Sequence, residues 1–320
     1  MSTSDGAHAA VMGAVGQAEQ MGVAHGASPA TTEDAATTKK RLPIAAWLSI
    51  AWLVIIVGAG ALAPILPLAD PNADVAEKRL APFQGGPILG ADANGRDMLS
   101  RVIWGGRVSL IIAVCAVLVG LFIGGFLGLL AGYFRNVLGN ILVGLFDVLL
   151  AIPQLVLALS LVSVLKGDPN VEEGFHLPIV LVLIIALGLV SIPILARITR
   201  AATLSWAQRD FVTAARAQGA GHMRILFREV LPNVAPAMFS ITLLGMAIAI
   251  VAEGGLAILG VSVEAPTSTW GTMIASGHTE LQEAPFILWI PIAAVFLTAV
   301  SLNYLGDVVR ERFDVRESAL

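Results

Sequence analysis

Two carboxylates lie in stretches otherwise too apolar to hold a charge: Asp147 within residues 137–165 and Glu253 within residues 234–260. A charge at a bilayer centre costs about 2.5–3.5 kcal/mol on insertion scales, so each acid must face a bundle interior, water or a partner. Both are candidate pore or gating residues, with a polar contact between helices or subunits as the other reading. Asp147 precedes Ala151-Ile152-Pro153, where proline removes a helix donor and is expected to kink the span. Glu253 precedes Gly254-Gly255, which permit close packing or a bend. Little else reads as catalytic machinery. The sequence contains no GxxxxGK[ST] phosphate loop and no HExxH. His8, His25, His176, His222 and His278 are scattered over different segments, which disfavours a zinc site. Asp92-Ala93-Asn94-Gly95 begins like a calcium loop but lacks the later ligands and the closing glutamate. The single cysteine, Cys115, sits in an apolar run and reads as a small buried hydrophobe. No catalytic residue, cofactor or metal is expected in this chain.

The setting of these residues is a membrane. Hydrophobic residues make up 57% of the 320, and charged residues only 13%, against about 25% in soluble domains. Mean hydropathy is +0.83. A soluble enzyme is excluded on this balance, and the small net charge of −4 with no basic stripe excludes a nucleic-acid partner. A spanning helix needs about 20 mostly apolar residues. Six stretches qualify, over 44–66, 108–132, 137–165, 177–196, 234–260 and 284–306. They are too long for barrel strands and do not alternate, so the expected fold is an all-α integral membrane protein with six transmembrane helices. Placing the N-terminus inside puts 13 of the 19 Lys and Arg on inner segments and 6 on outer ones, so both termini are expected to be cytoplasmic. Residues 1–43 read as a disordered cytoplasmic tail. A signal peptide over 39–63 is the rival reading, disfavoured by the length of the apolar run and of the tail before it. The remaining divisions are a first transmembrane helix over 44–66, an extracytoplasmic segment over 67–106, a five-helix core over 107–306 and a cytoplasmic tail over 307–320.

Three loops carry the polar detail. In the outer segment, Asp92, Asn94 and Gly95 suit a tight turn. Asp97 suits an N-cap or first-turn position on a short helix leading to Arg101 and Arg107. Arg96, Asp97 and Arg101 are candidate contacts for an external partner, with a polar cover over the bundle as the alternative. In the inner loop 197–232, two short helices are readable. Phe211, Ala214 and Ala215 share a face that small side chains keep flat, and Gly219-Ala220-Gly221 breaks the helix. Met223, Leu226, Phe227 and Val230 then form a stripe, and Leu231-Pro232 is expected to end the second helix. The outer loops 166–176 and 261–283 are acidic. In the second predicted span, Gly120, Gly124 and Gly128 recur on one face, permitting tight packing either inside the bundle or at a seam with a partner subunit.

The inner-loop run Phe211-Val212-Thr213-Ala214-Ala215-Arg216-Ala217-Gln218-Gly219, followed by Leu231-Pro232, resembles the "EAA" loop of ABC-importer permeases. Thr213 stands where that pattern often has Glu, and Glu229 where related permeases often have His. Leu89-Gly90, Gly95-Arg96-Asp97, Ser100-Arg101 and Gly106-Arg107-Val108-Ser109 resemble the second, C-type permease of dipeptide, oligopeptide and nickel importers. So do Leu259-Gly260, Pro266 to Gly271 and Leu302-Asn303-Tyr304-Leu305-Gly306-Asp307.

That resemblance implies a type I ABC-importer permease fold in the bacterial cytoplasmic membrane. It implies partnership with a second homologous permease, two cytoplasmic ATP-binding subunits that hold ATP and Mg, and an extracytoplasmic solute-binding protein. The stretch Phe211, Thr213, Ala214, Ala215 and Arg216, with Gly219, Leu231 and Pro232, would be the coupling site. The solute implied is a di- or oligopeptide, with nickel or another small cation as the alternative. A stand-alone secondary transporter is the rival of a different class; it would leave the coupling-type loop without a role, and no clear internal duplication is visible.

Overall fold

The structure, a computed structural model, describes residues 42–134, 136–166 and 177–317, without the side chains of Leu138 and residues 313–317. The expectations for the N-terminal tail, Arg135 and the acidic loop 167–176 lie outside the described residues. Among those described, every regular element is helical, and β-type pairing is limited to two isolated bridges, Asp74 with Arg96 and Ala91 with Asp97. The helices are α1 (Ile44–Leu62), α2 (Met98–Tyr133), α3 (Val137–Ala151), α4 (Gln154–Lys166), α5 (Ile179–Trp206), α6 (Asp210–Ala217), α7 (His222–Ile258), α8 (Trp270–Thr279) and α9 (Phe286–Glu317). Helices α1, α2, α5, α7 and α9 are each long and apolar enough to cross a membrane, and α3 with α4 make a sixth span if taken together.

The expected spans are present; α2, α5, α7 and α9 are longer than the apolar runs alone mark, whereas α1 ends at Leu62, short of the expected residue 66. Helix α2 starts at Met98 rather than near residue 108, and α5 continues to Trp206. Hydropathy registers only the apolar stretch of a helix, so polar turns at either end escape it. The third span is not straight: α3 and α4 meet at 91°. Ile152, driven to extended backbone (φ −80°, ψ 131°) by the proline that follows it, is where the helix stops.

Three apolar cores hold the bundle. One joins α1, α2, α7, α8 and α9 around Met98, Val102, Val117, Ile250 and Trp270. A second packs α2 and α4 on α5 through Ile112, Val162, Leu183 and Leu187. The third, around Leu129, Val212, Ile225, Leu226 and Val230, belongs to the connection between α5 and α7. Trp47, Leu48, Val54 and Ile55 on α1 remain exposed, as do Phe122, Val164 and Phe296. In water such a surface would promote association; in a bilayer it is a lipid-facing one. Helix α1 is tied to α9 by a hydrogen bond from Trp52 Nε1 to Thr298 Oγ1 of 3.0 Å.

The glycine stripe of α2 packs inside the chain, which decides between its two readings. A Cβ at Gly120 would lie 2.6 Å from Ser191 Cβ, at Gly124 2.3 Å from Ile192 O and at Gly128 2.2 Å from Ala196 O. All three neighbours are on α5, so missing side chains let the two backbones touch. A π-helical turn over Gly120–Gly124 lies within this seam.

Candidate functional site

At one end of the bundle, residues 207–221 form a hairpin carrying α6. Asp210 in its first turn and Arg216 in its last complement the helix dipole. The helix closes with paired bonds: Gly219 N–H donates to Arg216 O (3.0 Å) and Ala220 N–H to Ala215 O (3.0 Å). This Schellman closure needs a left-handed residue, and Gly219 supplies it at φ 80°. Val212 is fully buried and Ala215 packs beside it, at the i, i+3 spacing of one helix face, against Ile225, Leu226 and Val230. Ala215, half-buried, therefore turns partly toward the hairpin's own core, whereas Phe211 and Ala214 are exposed. The outward residues are Phe211, Thr213, Ala214 and Arg216.

The second hairpin helix does not end at Leu231-Pro232. It is the start of α7, which runs unbroken from His222 to Ile258. A π-turn over Ile225–Val230, in which Leu231 N–H reaches back to Leu226 O, directly precedes Pro232 and opens the helix where an α-turn would crowd the ring. The same widened turn changes which residues share a face. Ile225, Leu226, Val230 and Val234 are buried, while Met223 and Phe227 of the expected stripe stay 55% and 44% exposed. Leu231 packs on this core and Pro232 is exposed.

Sequence patterns did not signal the root of the hairpin. Tyr133 Oη lies 3.1 Å from His222 Nδ1, and the Arg216 guanidinium sits 5.5 Å from the Tyr133 ring centroid. These contacts tie the end of α2 to the start of α7 and the end of α6.

At the opposite end, residues 63–97 and 259–285 form a cap. Asp92 Oδ1 accepts from the amides of Asn94 (2.8 Å) and Arg96 (3.0 Å), the expected turn. Asp97 caps α2 by accepting from Leu99 N–H at 2.8 Å. Arg101 donates from Nη1 to Pro71 O (3.1 Å) and pairs through Nε with Asp92 at 3.5 Å. Asp97 and Arg101 are buried and Arg96 is half-buried. The side chains of Asp97 and Arg101 are spent on folding the cap, so these two do not form the exposed contact surface expected of them, whereas Arg96 Nε is buried with no hydrogen-bond partner. The helix Asp97 starts is also not short: it is α2. Across the cap, Arg79 donates to Glu280 Oε2 at 2.6 Å and lies 3.2 Å from Glu283, while Lys166 contacts Glu264 at 2.6 Å. The hydrogen bond from Arg79 holds the Glu280 carboxyl below its usual range. That contact persists above the depressed value and is lost as pH falls through it; being exposed, it also weakens in salt.

The two span acids have different fates. Asp147 is exposed on α3. Glu253 is 1% exposed and takes hydrogen bonds from Thr269 Oγ1 (2.7 Å), Ser262 Oγ (2.8 Å) and Ser109 Oγ (3.4 Å). A cavity of 520 Å³ lies among α4, α5, α7 and α9, with apolar walls and the neutral polar side chains Gln154, Ser191 and Asn303. Neither acid lines it. Among the described residues, no group of three or more His, Cys, Asp or Glu is placed to hold a metal ion.

Comparison with known proteins agrees with this architecture. A family model described as "Binding-protein-dependent transport system inner membrane component" matches residues 120–317. The di/tripeptide transport system permease protein DppC of Pseudomonas aeruginosa is 36% identical over 270 residues, covering 82% of this chain and 85% of the relative. The dipeptide transport system permease protein DppC of Haemophilus influenzae is 33% identical over 276 residues, 84% of this chain and 90% of the relative. The glutathione transport system permease protein GsiD of Pectobacterium atrosepticum is 34% identical over 227 residues, 71% of each. In fold, the chain resembles the inward-facing MetNI methionine ABC transporter, with a TM-score of 0.54 at 16% identity over 67% of this chain and 97% of that one. With five long apolar helices, a sixth candidate span in the bent α3–α4 pair and this match, the chain belongs to the binding-protein-dependent transport system inner membrane component family and is a permease subunit of an ABC importer.

Proposed function

We propose that this permease forms half of the translocation path for di- or oligopeptides across a bacterial cytoplasmic membrane, and that α6 is its coupling helix. The hairpin end is cytoplasmic, as its arginines favour, and the cap end faces outward. A second homologous permease completes the path, two ATP-binding subunits grip the hairpins, and an extracytoplasmic binding protein delivers solute to the cap. The names of the relatives from Pseudomonas aeruginosa and Haemophilus influenzae support peptides as cargo.

The observation that carries the reading is the build of the hairpin. Val212 and Ala215 anchor α6 to its own core, while Phe211, Thr213 and Ala214 stand outward on a short, closed helix. A helix fixed on one side and small-featured on the other suits a groove in a partner protein. ATP-driven closure of that partner then displaces a rigid lever. Asp147, exposed on α3 beside the 91° bend, is proposed to face the path or the partner permease, because lipid would disfavour its charge. A tagged chain is expected to co-purify with two ATP-binding subunits and a second permease, and the reconstituted complex to show uptake that peptides, and not nickel ions, inhibit. Recovery of a transport-active homo-oligomer alone would contradict the proposal.

A further inference from the structure

We infer that Glu253 is the positioning residue that makes the cap end move as one body with α7, and so carries the stroke of the hairpin to the outer gate; this rests on the coupling role proposed for α6. The first support is continuity. Helix α7 begins at His222 in the hairpin and reaches Glu253 without a break, a distance of roughly 45 Å at about 1.5 Å per residue. A displacement of the hairpin is carried along this helix toward Glu253, with the π-turn and Pro236 as the points where it can bend.

The second support is what the carboxylate holds. Just beyond it α7 closes with the same paired bonds as α6: Gly260 N–H donates to Ala257 O and Val261 N–H to Leu256 O, with Gly260 at φ 77°. The chain turns back, and Ser262 Oγ donates to Glu253 Oε1 at 2.8 Å. Thr269 then starts α8, and its hydroxyl does two things at once. Its proton goes to Glu253 Oε1 at 2.7 Å, and its oxygen accepts Thr272 N–H at 3.0 Å, capping the helix. The next amide, Trp270 N–H, donates to Ser109 Oγ at 3.0 Å, and Ser109 in turn donates to Glu253 Oε2. One carboxylate thus gathers the start of α8, the loop before it and α2.

The third support is that the fit leaves no slack. A Cβ at Gly271 would lie 2.8 Å from Glu253 Oε2, and one at Gly106 would lie 2.6 Å from the Trp270 ring. Trp270 is fully buried and donates from Nε1 to Val102 O at 2.9 Å. Two glycines therefore let α8 seat directly on α7 and α2. The two short hydroxyl bonds, from Thr269 and Ser262, span the joint between the lever and the cap.

The test uses the complete complex in proteoliposomes, with Cys115 replaced and spin labels at the exposed positions Ile258 and Ser276. In the otherwise unaltered chain, the distance between labels is expected to be narrow and the same without nucleotide and with vanadate-trapped ATPases. Glu253→Ala, which removes the acceptor of all three hydroxyls, is expected to broaden it and to lower solute moved per ATP hydrolysed by at least about tenfold, the factor that loss of a single such bond corresponds to. Glu253→Gln, whose amide oxygen still accepts from Ser262 and Thr269, is expected to restore both readings. Ser262→Ala removes one donor, and Thr269→Val removes one donor together with the α8 cap on Thr272 N–H; both are expected to fall between, and they serve if Glu253→Ala does not fold. A distance that shifts on trapping in the unaltered chain overturns the inference. So does a Glu253→Ala chain, or a Thr269→Val and Ser262→Ala pair, that keeps both the narrow distance and full transport per ATP. Cross-linking of α6 to an ATPase fails only if the coupling reading is wrong, whereas the cap-end distance reports the anchor itself, so the two failures are told apart.

Discussion

Ala214→Arg is expected to leave insertion and yield of the permease unchanged while lowering uptake about a hundredfold, equivalent to about 3 kcal/mol. Ala214 is exposed on α6 and takes no part in the hairpin's own core. A long cation there costs nothing in the isolated subunit. Seated in a partner groove it must be desolvated without a counter-charge, which is costly. Ala215→Arg is the informative contrast. Ala215 packs beside Val212, Ile225 and Leu226, so the same substitution one residue along overfills the chain's own core and is expected to reduce the yield of folded subunit. Transport assays and membrane yields of the two variants, side by side, separate a docking face from a folding face.

Gly128→Leu is expected to destabilise the subunit by about 3 kcal/mol, at the upper end of ordinary overpacking. Its Cβ would meet Ala196 O at 2.2 Å, a backbone atom that cannot rotate away. Helices α2 and α5 would have to separate, and Gly120 and Gly124 would lose their contacts with Ser191 and Ile192 together. Gly58→Leu on α1 is the control, because nothing lies within 4 Å of a Cβ there. Thermal unfolding in detergent is expected to shift downward for Gly128→Leu alone.

Much of this fold is legible in residue order, and the failures have physical causes. Spans are visible because the bilayer imposes a length on apolar runs. The Asp97 cap and the Gly219 turn are visible because few residue types satisfy those backbone positions. Pro153 locates the bend in the third span but not its 91° angle, since proline restricts its own and the preceding residue and leaves the next helix's direction to packing. Met223, Leu226, Phe227 and Val230 do not share the face their spacing predicts, because a π-turn replaces the 3.6-residue repeat on which that spacing depends. Asp97 and Arg101 read as surface because polarity in a loop does not reveal which way a side chain points. Glu253 is conspicuous, but its partners are not. Ser109 lies 144 residues away in sequence, and a serine or threonine has no periodic signature. The stretches containing Ser109 and Thr269 both resemble the family in sequence, but nothing in residue order shows that they converge on one carboxylate.

The hairpin carrying α6 is proposed to be gripped by an ATP-binding subunit. With Cys115 replaced, Ala214→Cys provides one thiol on the exposed face of that helix. In the assembled, transport-competent complex, a short thiol-reactive cross-linker is expected to join it to an ATP-binding subunit, with efficiency that changes between nucleotide-free and vanadate-trapped states. A thiol at that position that stays accessible to bulky water-soluble reagents and never joins an ATP-binding subunit, in a preparation still moving solute, would contradict the claim.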